Sequence, residues 1–323
     1  MSSTKEQVLS LLETHREQFF SGEALAAQLG VSRAAVWKAV KELQKQGHSI
    51  EAVPNRGYTM RSTSEVLSEQ GVRPYLNERI PMLVVEKEVV STNITAKELA
   101  AKGAPHGTLV MADAQTGGRG RRGRSFSSPP GTGLYLTMIL RSGLPMECVV
   151  PMTSAAAVAV YRAIRKVCGK ELSIKWVNDV YWRGKKCCGI LTEAAADMES
   201  GGVDYVVVGI GLNLLEPEGG FPPELRDIAG SIFDPGEPVQ RCRIAAEVAN
   251  ELLDMADALP ETPFMEDYIQ HNFVPGKDIF VIQNGEKRPA HARAITPDGH
   301  LVVDNPDGTT EELSFGEVSI RIQ

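Results

Sequence analysis

The sequence contains no apolar run approaching the ~18–20 residues that a membrane-spanning helix requires. Its first residues, MSSTKEQVLS, lack the basic-then-apolar pattern of a secretory signal. Cysteine is scarce. The five present (Cys148, Cys168, Cys187, Cys188, Cys242) are odd in number and show no CxxC spacing, and none of the six histidines joins them at zinc-ligand spacing. No Walker A sequence, internal repeat or low-complexity tract occurs. These absences exclude a membrane helix, a disulfide scaffold, a structural zinc site and a P-loop nucleotidase. The expectation is a reduced, cytoplasmic protein with no metal site and no membrane partner.

A strong positive charge is also missing, since the 323 residues carry a formal net charge of −7. The charge is unevenly placed. Residues 1–62 hold eight Lys/Arg against six Glu, or +2, which leaves −9 for the remainder. Any DNA contact must therefore sit in a local N-terminal patch, because the field of the whole molecule repels phosphate. Hydrophobic content of 42% and charged content of 23% are ordinary for globular protein, and the length allows two or three domains.

The N-terminal segment reads as three helices and a hairpin. Thr4 and Gln7 are spaced as a capping box, followed by Val8, Leu11, Leu12 and His15 at helical spacing. Ser21 precedes a second helix with Leu25 and Leu29 inward, which Gly30 ends. Ser32 opens a third, SRAAVWKAVKELQKQ, with Val36, Val40 and Leu43 as its buried stripe and Gly47 as its stop. Strands near Ile50–Val53 and Tyr58–Arg61 flank the turn Pro54-Asn55-Arg56-Gly57. This order is that of a winged helix-turn-helix. The third helix would enter the major groove, presenting Ser32, Arg33, Ala34, Trp37, Lys38 and Lys41, with Arg56 on the wing. A small helical interaction domain with a solvated basic face fits the same pattern.

The polar stretch RSTSE (61–65) marks a boundary, giving domains 1–63, 64–273 and 274–323. The middle segment alternates strands (Leu83–Val90, Thr108–Ala112, Leu134–Leu140, Ser173–Trp176, Val180–Trp182, Lys186–Leu191, Tyr205–Leu212) with helices (Thr92–Lys102, around Thr153–Val167, and Ile244–Met255). Short connections such as Arg183-Gly184-Lys185 predict a mostly antiparallel sheet. The tail has only short β runs and turn signals at Asn284-Gly285, Pro297-Asp298-Gly299 and Asn305-Pro306-Asp307-Gly308, which predicts a small SH3-like β-barrel without helices. The fold class is α+β.

The segment Gln115-Thr116-Gly117-Gly118-Arg119-Gly120-Arg121-Arg122-Gly123-Arg124 satisfies GxGxxG after a strand. A dinucleotide fingerprint must open a helix, and Ser125-Phe126-Ser127-Ser128-Pro129-Pro130-Gly131 cannot continue as one. What remains is a glycine loop carrying four arginines, whose backbone and forked side-chain donors suit phosphate and carboxylate. A solvated or RNA-binding loop has the same composition; its place after a buried strand in an acidic domain favours a small anion. Asn178-Asp179 at a bend and Lys185-Lys186 at a hairpin are, taken singly, ordinary turn chemistry.

Taken together, QTGGRGRRGR, STN (91–93), KWVNDVYW, KKCCGIL and GIGLN (209–213) resemble the biotin–protein ligases, and with the N-terminal winged helix the bifunctional ligase/repressors. One departure is Val177, where the family commonly has proline. The resemblance implies a central sheet of class II synthetase type. It also implies that biotin and ATP, with Mg²⁺, yield biotinyl-5'-AMP, from which biotin passes to a lysine of a biotin carboxyl carrier protein or carboxylase biotinyl domain. It places Ser91, Thr92, Asn93, Gln115, Gly118, Arg119, Gly120, Arg121, Lys186, Gly189 and Gly209 at biotin, and Arg121, Arg124, Asn178 and Asn213 at the nucleotide. Lys186, Arg121 and Asp179 carry the chemistry. Residues 215–235 would include a loop over adenine. An adenylate-bound homodimer would bind operator DNA. A lipoate–protein ligase, and a transcription factor that only senses biotin, remain alternatives.

Overall fold

The computed structural model describes residues 3–61, 66–141, 149–196, 202–283, 285–314 and 319–322. Cys148, Asn284 and residues 62–65 at the first expected boundary lie outside them.

Helix α1 (Thr4–Thr14) is capped one residue earlier than expected. Ser3 Oγ accepts from Glu6 N at 3.3 Å, and Glu6 Oε2 accepts from Ser3 N at 2.7 Å. Ser3–Glu6 satisfies the same spacing as Thr4–Gln7, and its carboxylate also complements the positive helix end. The buried stripe is Val8, Leu9, Leu12 and Glu13, while Leu11 is half-buried and His15 exposed. Ser21 caps α2 (Gly22–Leu29) through Ala24 N, left-handed Gly30 ends it, and Leu25 is buried while Leu29 is half-buried. Ser32 caps α3 (Arg33–Lys45), whose Val36, Val40 and Leu43 are buried as predicted. Strands β1 (Ile50–Val53) and β2 (Gly57–Met60) form the antiparallel wing. These elements share a hydrophobic core separate from that of the rest of the chain.

After the short α4 (Glu69–Val72) come β3 (Leu83–Val89), α5 (Thr92–Ala101), β4 (Thr108–Gln115), β5 (Gly133–Leu140) and α6 (Val149–Cys168). Strands β6 (Ser173–Lys175), β7 (Asp179–Trp182), β8 (Lys185–Ala196) and β9 (Val203–Asn213) follow, then α7 (Arg241–Asp257) and α8 (Met265–Gln270). Among the described residues the central sheet runs β3-β4-β5-β9-β8-β7-β6, parallel only at β3–β4. The two-residue period of a strand assigns its faces. Leu109, Met111, Met138 and Val208 face the α6/α7 core, whereas Val110, Ile139 and Val207 meet Ala96 and Ala100 of α5. Six-residue α8 was not foreseen; so short a segment shows too little periodicity.

The tail folds as β10 (Lys277–Gln283), β11 (Glu286–Ile295), β12 (Leu301–Asp304), β13 (Thr310–Leu313) and β14 (Ser319–Ile322). They form an antiparallel sheet in the order β13-β12-β11-β10-β14. Gly285, Gly299 and Gly308 all take positive φ, as the turn signals required. Val274, Ile279, Val281 and Leu301 join the core cluster of the central sheet, and Trp176 Nε1 donates to Gly299 O at 3.0 Å. Among the described residues no helix is long and apolar enough to cross a membrane.

Candidate functional site

On the α5 face of the sheet, Val207, Gly209 and Gly211 of β9 lie opposite Ile139, Thr137 and Tyr135 of β5, and opposite Glu193, Leu191 and Gly189 of β8. Glycine is required at two of these places by what lies above. A Cβ on Gly209 would stand 1.9 Å from Asn93 Oδ1, and one on Gly211 would stand 2.6 Å from the Phe126 ring. Sequence reasoning gave the space at Gly209 to biotin; here Asn93 fills it.

A polar network lies in this layer. Gln115 Oε1 accepts from Thr92 N at 2.9 Å and from Thr92 Oγ1 at 3.2 Å, while Gln115 Nε2 donates to Ser128 Oγ at 2.8 Å. Thr137 Oγ1 lies 2.8 Å from Thr92 Oγ1 and 2.7 Å from Asn93 Oδ1. Asn93 Nδ2 donates to Leu191 O and Glu193 Oε2, and Lys97 Nζ meets Glu193 Oε1 at 2.8 Å. Burial opposes ionisation of Glu193, but hydrogen bonds from Lys97 and Asn93 and the charges of Lys97 and Arg119 outweigh it and hold its carboxyl below the usual range. Ser91, Thr92, Asn93 and Thr137 are all buried.

The arginine loop leaves β4 and returns in extended conformation through Ser125–Pro130 after a single turn of 3-10 helix at Arg121–Gly123. It does not open an α-helix, as the rejection of a dinucleotide fold required. Beneath it lies a cleft of about 990 Å³. Among the described lining residues, six cations (Arg119, Arg121, Arg122, Arg124, Lys175, Lys186) face two carboxylates, Asp179 and Asp227. In a chain of net charge −7 this is a strongly local positive field, suited to an anionic ligand. Arg121 Nη1 donates to Asn178 Oδ1 at 3.2 Å, and Asn178 Nδ2 donates to Ile190 O at 2.9 Å. Burial, then the neighbouring Arg122, lowers the Arg121 pKa from its ordinary value. Lys186 Nζ lies 2.5 Å from Asp179 Oδ1.

The structure thus divides the residues expected at biotin. Arg119, Gly120, Arg121, Lys186 and Gly189 line the cleft, whereas Ser91, Thr92, Asn93, Gln115, Gly118 and Gly209 do not. Phe126 joins the two groups, because its ring lies over Gly189 and Gly211 while its carbonyl accepts from Ser128 Oγ at 3.1 Å. Arg124, Asn178 and Asn213 line the cleft, and Asn213 Nδ2 donates to Gly230 O. Phe126 and Ser128 were missed, although both stand in the segment that excluded a helix. The 215–235 segment supplies Phe221, Leu225, Asp227, Ile228 and Ala229 to the wall. Its main chain pairs with β8, Lys186 N donating to Ile228 O and Gly230 N to Lys186 O. Among the described residues no cluster of three or more His, Cys, Asp or Glu is arranged for a metal.

On the N-terminal helices, Ser32, Arg33, Ala34, Trp37, Lys38 and Lys41 are all exposed, and Trp37 is 57% accessible. Arg56 on the wing is exposed and stacks on Phe19, 3.9 Å from the ring centroid.

Comparison with known proteins gives the following likenesses. Residues 86–213 match the biotin/lipoate A/B protein ligase family, and residues 4–59 match an HTH domain. The chain is 37% identical over 279 residues to the bifunctional ligase/repressor BirA of Bacillus spizizenii, covering 85% of this chain and 82% of that protein. It is 25% identical over 315 residues to the BirA of Escherichia coli, covering 94% of each. Among solved structures it is similar to the biotin protein ligase from Aquifex aeolicus in complex with biotin and ATP. The TM-score is 0.64 at 26% identity, over 75% of this chain and 100% of that one.

Proposed function

The chain belongs to the biotin/lipoate A/B protein ligase family, among the bifunctional ligase/repressors, and we propose how its own residues carry the two activities. It is a biotin–protein ligase and a biotin-responsive transcriptional repressor, which we divide into DNA-binding (1–63), ligase (64–273) and C-terminal β (274–323) domains. The observation that carries the ligase reading is the cationic cleft built from the arginine loop, the Asn178-Asp179 bend and Lys186.

The first reaction must bring two anions together, the carboxylate of biotin and the α-phosphate of ATP. A carboxylate oxygen attacks phosphorus and pyrophosphate leaves. Fixed cations reduce the repulsion and stabilise the charge of the in-line transition state. Lys186 bridges carboxylate and α-phosphate, Arg119 and Arg121 close over them, and Asn178, Asn213 and Arg124 hold the nucleotide. The apolar part of biotin lies along the sheet near Gly189, and the Ser91–Thr92–Gln115 layer receives its ureido group. Mg²⁺ would enter with ATP, Asp179 and Asp227 being the carboxylates among the described lining residues that would hold it, and it would supply positive charge to the phosphates. Asp179 orients or deprotonates the acceptor lysine of a carboxylase biotinyl domain, whose amine attacks the acyl carbon and expels AMP.

For repression, α3 enters the major groove and the wing carries Arg56 to the backbone. An adenylate-bound homodimer provides the twofold symmetry that a two-part operator needs. The protein acts in the cytoplasm. One experiment tests the ligase reading. The protein is incubated with ATP and either biotin or lipoate, acyl-adenylate is sought by mass spectrometry, and a carrier domain is then added. Biotinyl-adenylate followed by a biotinylated carrier is expected; lipoyl-adenylate, or no adenylate, rejects the reading.

A further inference from the structure

The bend that carries Asn178 ends in a three-residue tip. Lys175 and Asp179 still pair across β6 and β7, so Trp176, Val177 and Asn178 stand outside that ladder and take other partners. Each is held by a different element. Trp176 Nε1 donates to Gly299 O at 3.0 Å. Asn178 exchanges bonds with β8, its O accepting from Ile190 N at 3.0 Å and its Nδ2 donating to Ile190 O at 2.9 Å. Val177 O accepts from the hydroxyl of Tyr268 at 3.0 Å. Trp176, Val177 and Asn178 line the cleft, whereas Tyr268 is fully buried and does not.

Tyr268 is a firmly placed donor. It lies on α8, where Phe264, Met265 and Tyr268 are buried at helical spacing. The chain leaving α8 runs beside β6, Ile174 N donating to His271 O at 2.8 Å and Phe273 N to Ile174 O at 3.1 Å. Asp267 of α8 pairs with Arg162 of α6 at 2.7 Å. A carbonyl can only accept, so the phenol donates. Burial raises the Tyr268 pKa above that of an ordinary tyrosine, so the donor keeps its proton near neutral pH.

Ile190 and Tyr268 fix different things. Ile190 O takes the Asn178 Nδ2 protons, which leaves Oδ1 for Arg121 Nη1 at 3.2 Å. Both bonds to Ile190 come from β8, and the peptide between Val177 and Asn178 can still tilt about them. Tyr268 holds that peptide by its oxygen, from α8. Asp179 depends on this grip less than Asn178 does, because it pairs with Lys175 and Gly189 in the sheet and with Lys186 through its side chain.

We propose that Tyr268 is a positioning residue for adenylate formation: its hydroxyl, by holding the Val177 carbonyl, fixes the tip so that Asn178 meets Arg121 and the nucleotide together. The proposal rests on the reading above that places Asn178 at the nucleotide.

The test is a cycle of four complete proteins, the wild type, Tyr268→Phe, Asn178→Ala and the double variant. KM for ATP and KM for biotin in adenylate formation are measured beside a thermal melt. Tyr268→Phe is expected to raise KM for ATP about tenfold and to leave KM for biotin within about twofold. Asn178→Ala is expected to raise KM for ATP at least as much. In that background Tyr268→Phe should add less than about twofold, because its effect passes through Asn178. A fifth protein carries 4-aminophenylalanine at position 268, which restores an N–H donor, and its KM for ATP is expected to return close to the wild-type value. Independent, multiplying effects of the two substitutions overturn the proposal, as does an amino variant that recovers nothing. So does a Tyr268→Phe protein that fails to fold, or that melts lower and loses ATP and biotin alike, since Tyr268 would then be a packing residue of α8. An unchanged KM for ATP in Asn178→Ala would instead remove Asn178 from the nucleotide, and with it the reading beneath the proposal.

Discussion

Lys186 Nζ and Asp179 Oδ1 stand 2.5 Å apart across the β7–β8 pair, so the cation and the carboxylate assigned to the chemistry neutralise each other. An arriving carboxylate or phosphate must compete with Asp179 for that ammonium, and Asp179 then becomes available to the acceptor amine. Lys186→Ala removes the bridging charge while the main chain at 186 keeps its bonds to residues 228 and 230. Adenylate formation is expected to fall by about 10²-fold or more with little change in melting temperature. Full turnover in this variant would take Lys186 out of the mechanism.

Asp179→Asn keeps the shape of the bend but discards the negative charge. The acceptor lysine must react as a neutral amine although its ordinary pKa is about 10.4, so losing a nearby carboxylate matters most in the second step. Single-turnover measurements are expected to show transfer to the carrier domain slowed at least tenfold more than adenylate formation. Equal slowing of the two steps would reject a transfer role for Asp179.

Much of the fold was legible because its signals are local. The caps at Ser21 and Ser32, the stop at Gly30 and the turns at Gly299 and Gly308 are written in one or a few residues each. The site was legible only in part. Arg119, Arg121, Asn178 and Lys186 stand in charged or polar motifs and do meet in one cleft. The Phe126 ring over Gly189 and Gly211 depends instead on the register of β8 against β9, and no local pattern records a contact between residues 63 or 85 positions apart. The same holds for Asn93 above Gly209. There the space that a Cβ of Gly209 would take is occupied by a neighbouring side chain.

Gly57 offers a way to separate the two activities. Its φ is +101°, and a Cβ there would stand 2.0 Å from Phe20 O, where Phe20 and Tyr58 exchange main-chain hydrogen bonds. Gly57→Ala must shift the wing. The winged-helix core is distinct from the core beneath the cleft. DNA affinity is expected to drop at least tenfold, measured on a duplex that the wild-type protein has selected from a random pool, while biotinyl-adenylate formation stays within twofold. Loss of both activities together would show that the wing conformation reaches the ligase site.

His48 and Glu13 make stability of the N-terminal domain depend on pH. His48 is 5% exposed, and burial, then the charges of Arg16 and Lys5, bring its pKa down to about 4. Its Nδ1 lies 4.0 Å from Glu13 Oε1, while the other oxygen of that carboxylate pairs with Arg16 at 2.6 Å. Between pH 6.5 and 4 the unfolded chain binds more protons at His48 than the folded one, so stability falls as pH falls through that window. The ceiling is about 3 kcal/mol, the span between the ordinary and folded values. Glu13 acts in the opposite sense. Burial raises its pKa against the pull of Arg16, so the folded state binds the proton more readily, and its contribution weakens as pH rises above the ordinary carboxylate range. The acid limb therefore belongs to His48. In His48→Asn, amide exchange in α1 and α3 is expected to change much less between pH 6.5 and 4.5, after correction for intrinsic rates, than in the wild type. Parallel curves for the two proteins would mean that protonation of His48 does not set the stability of this domain.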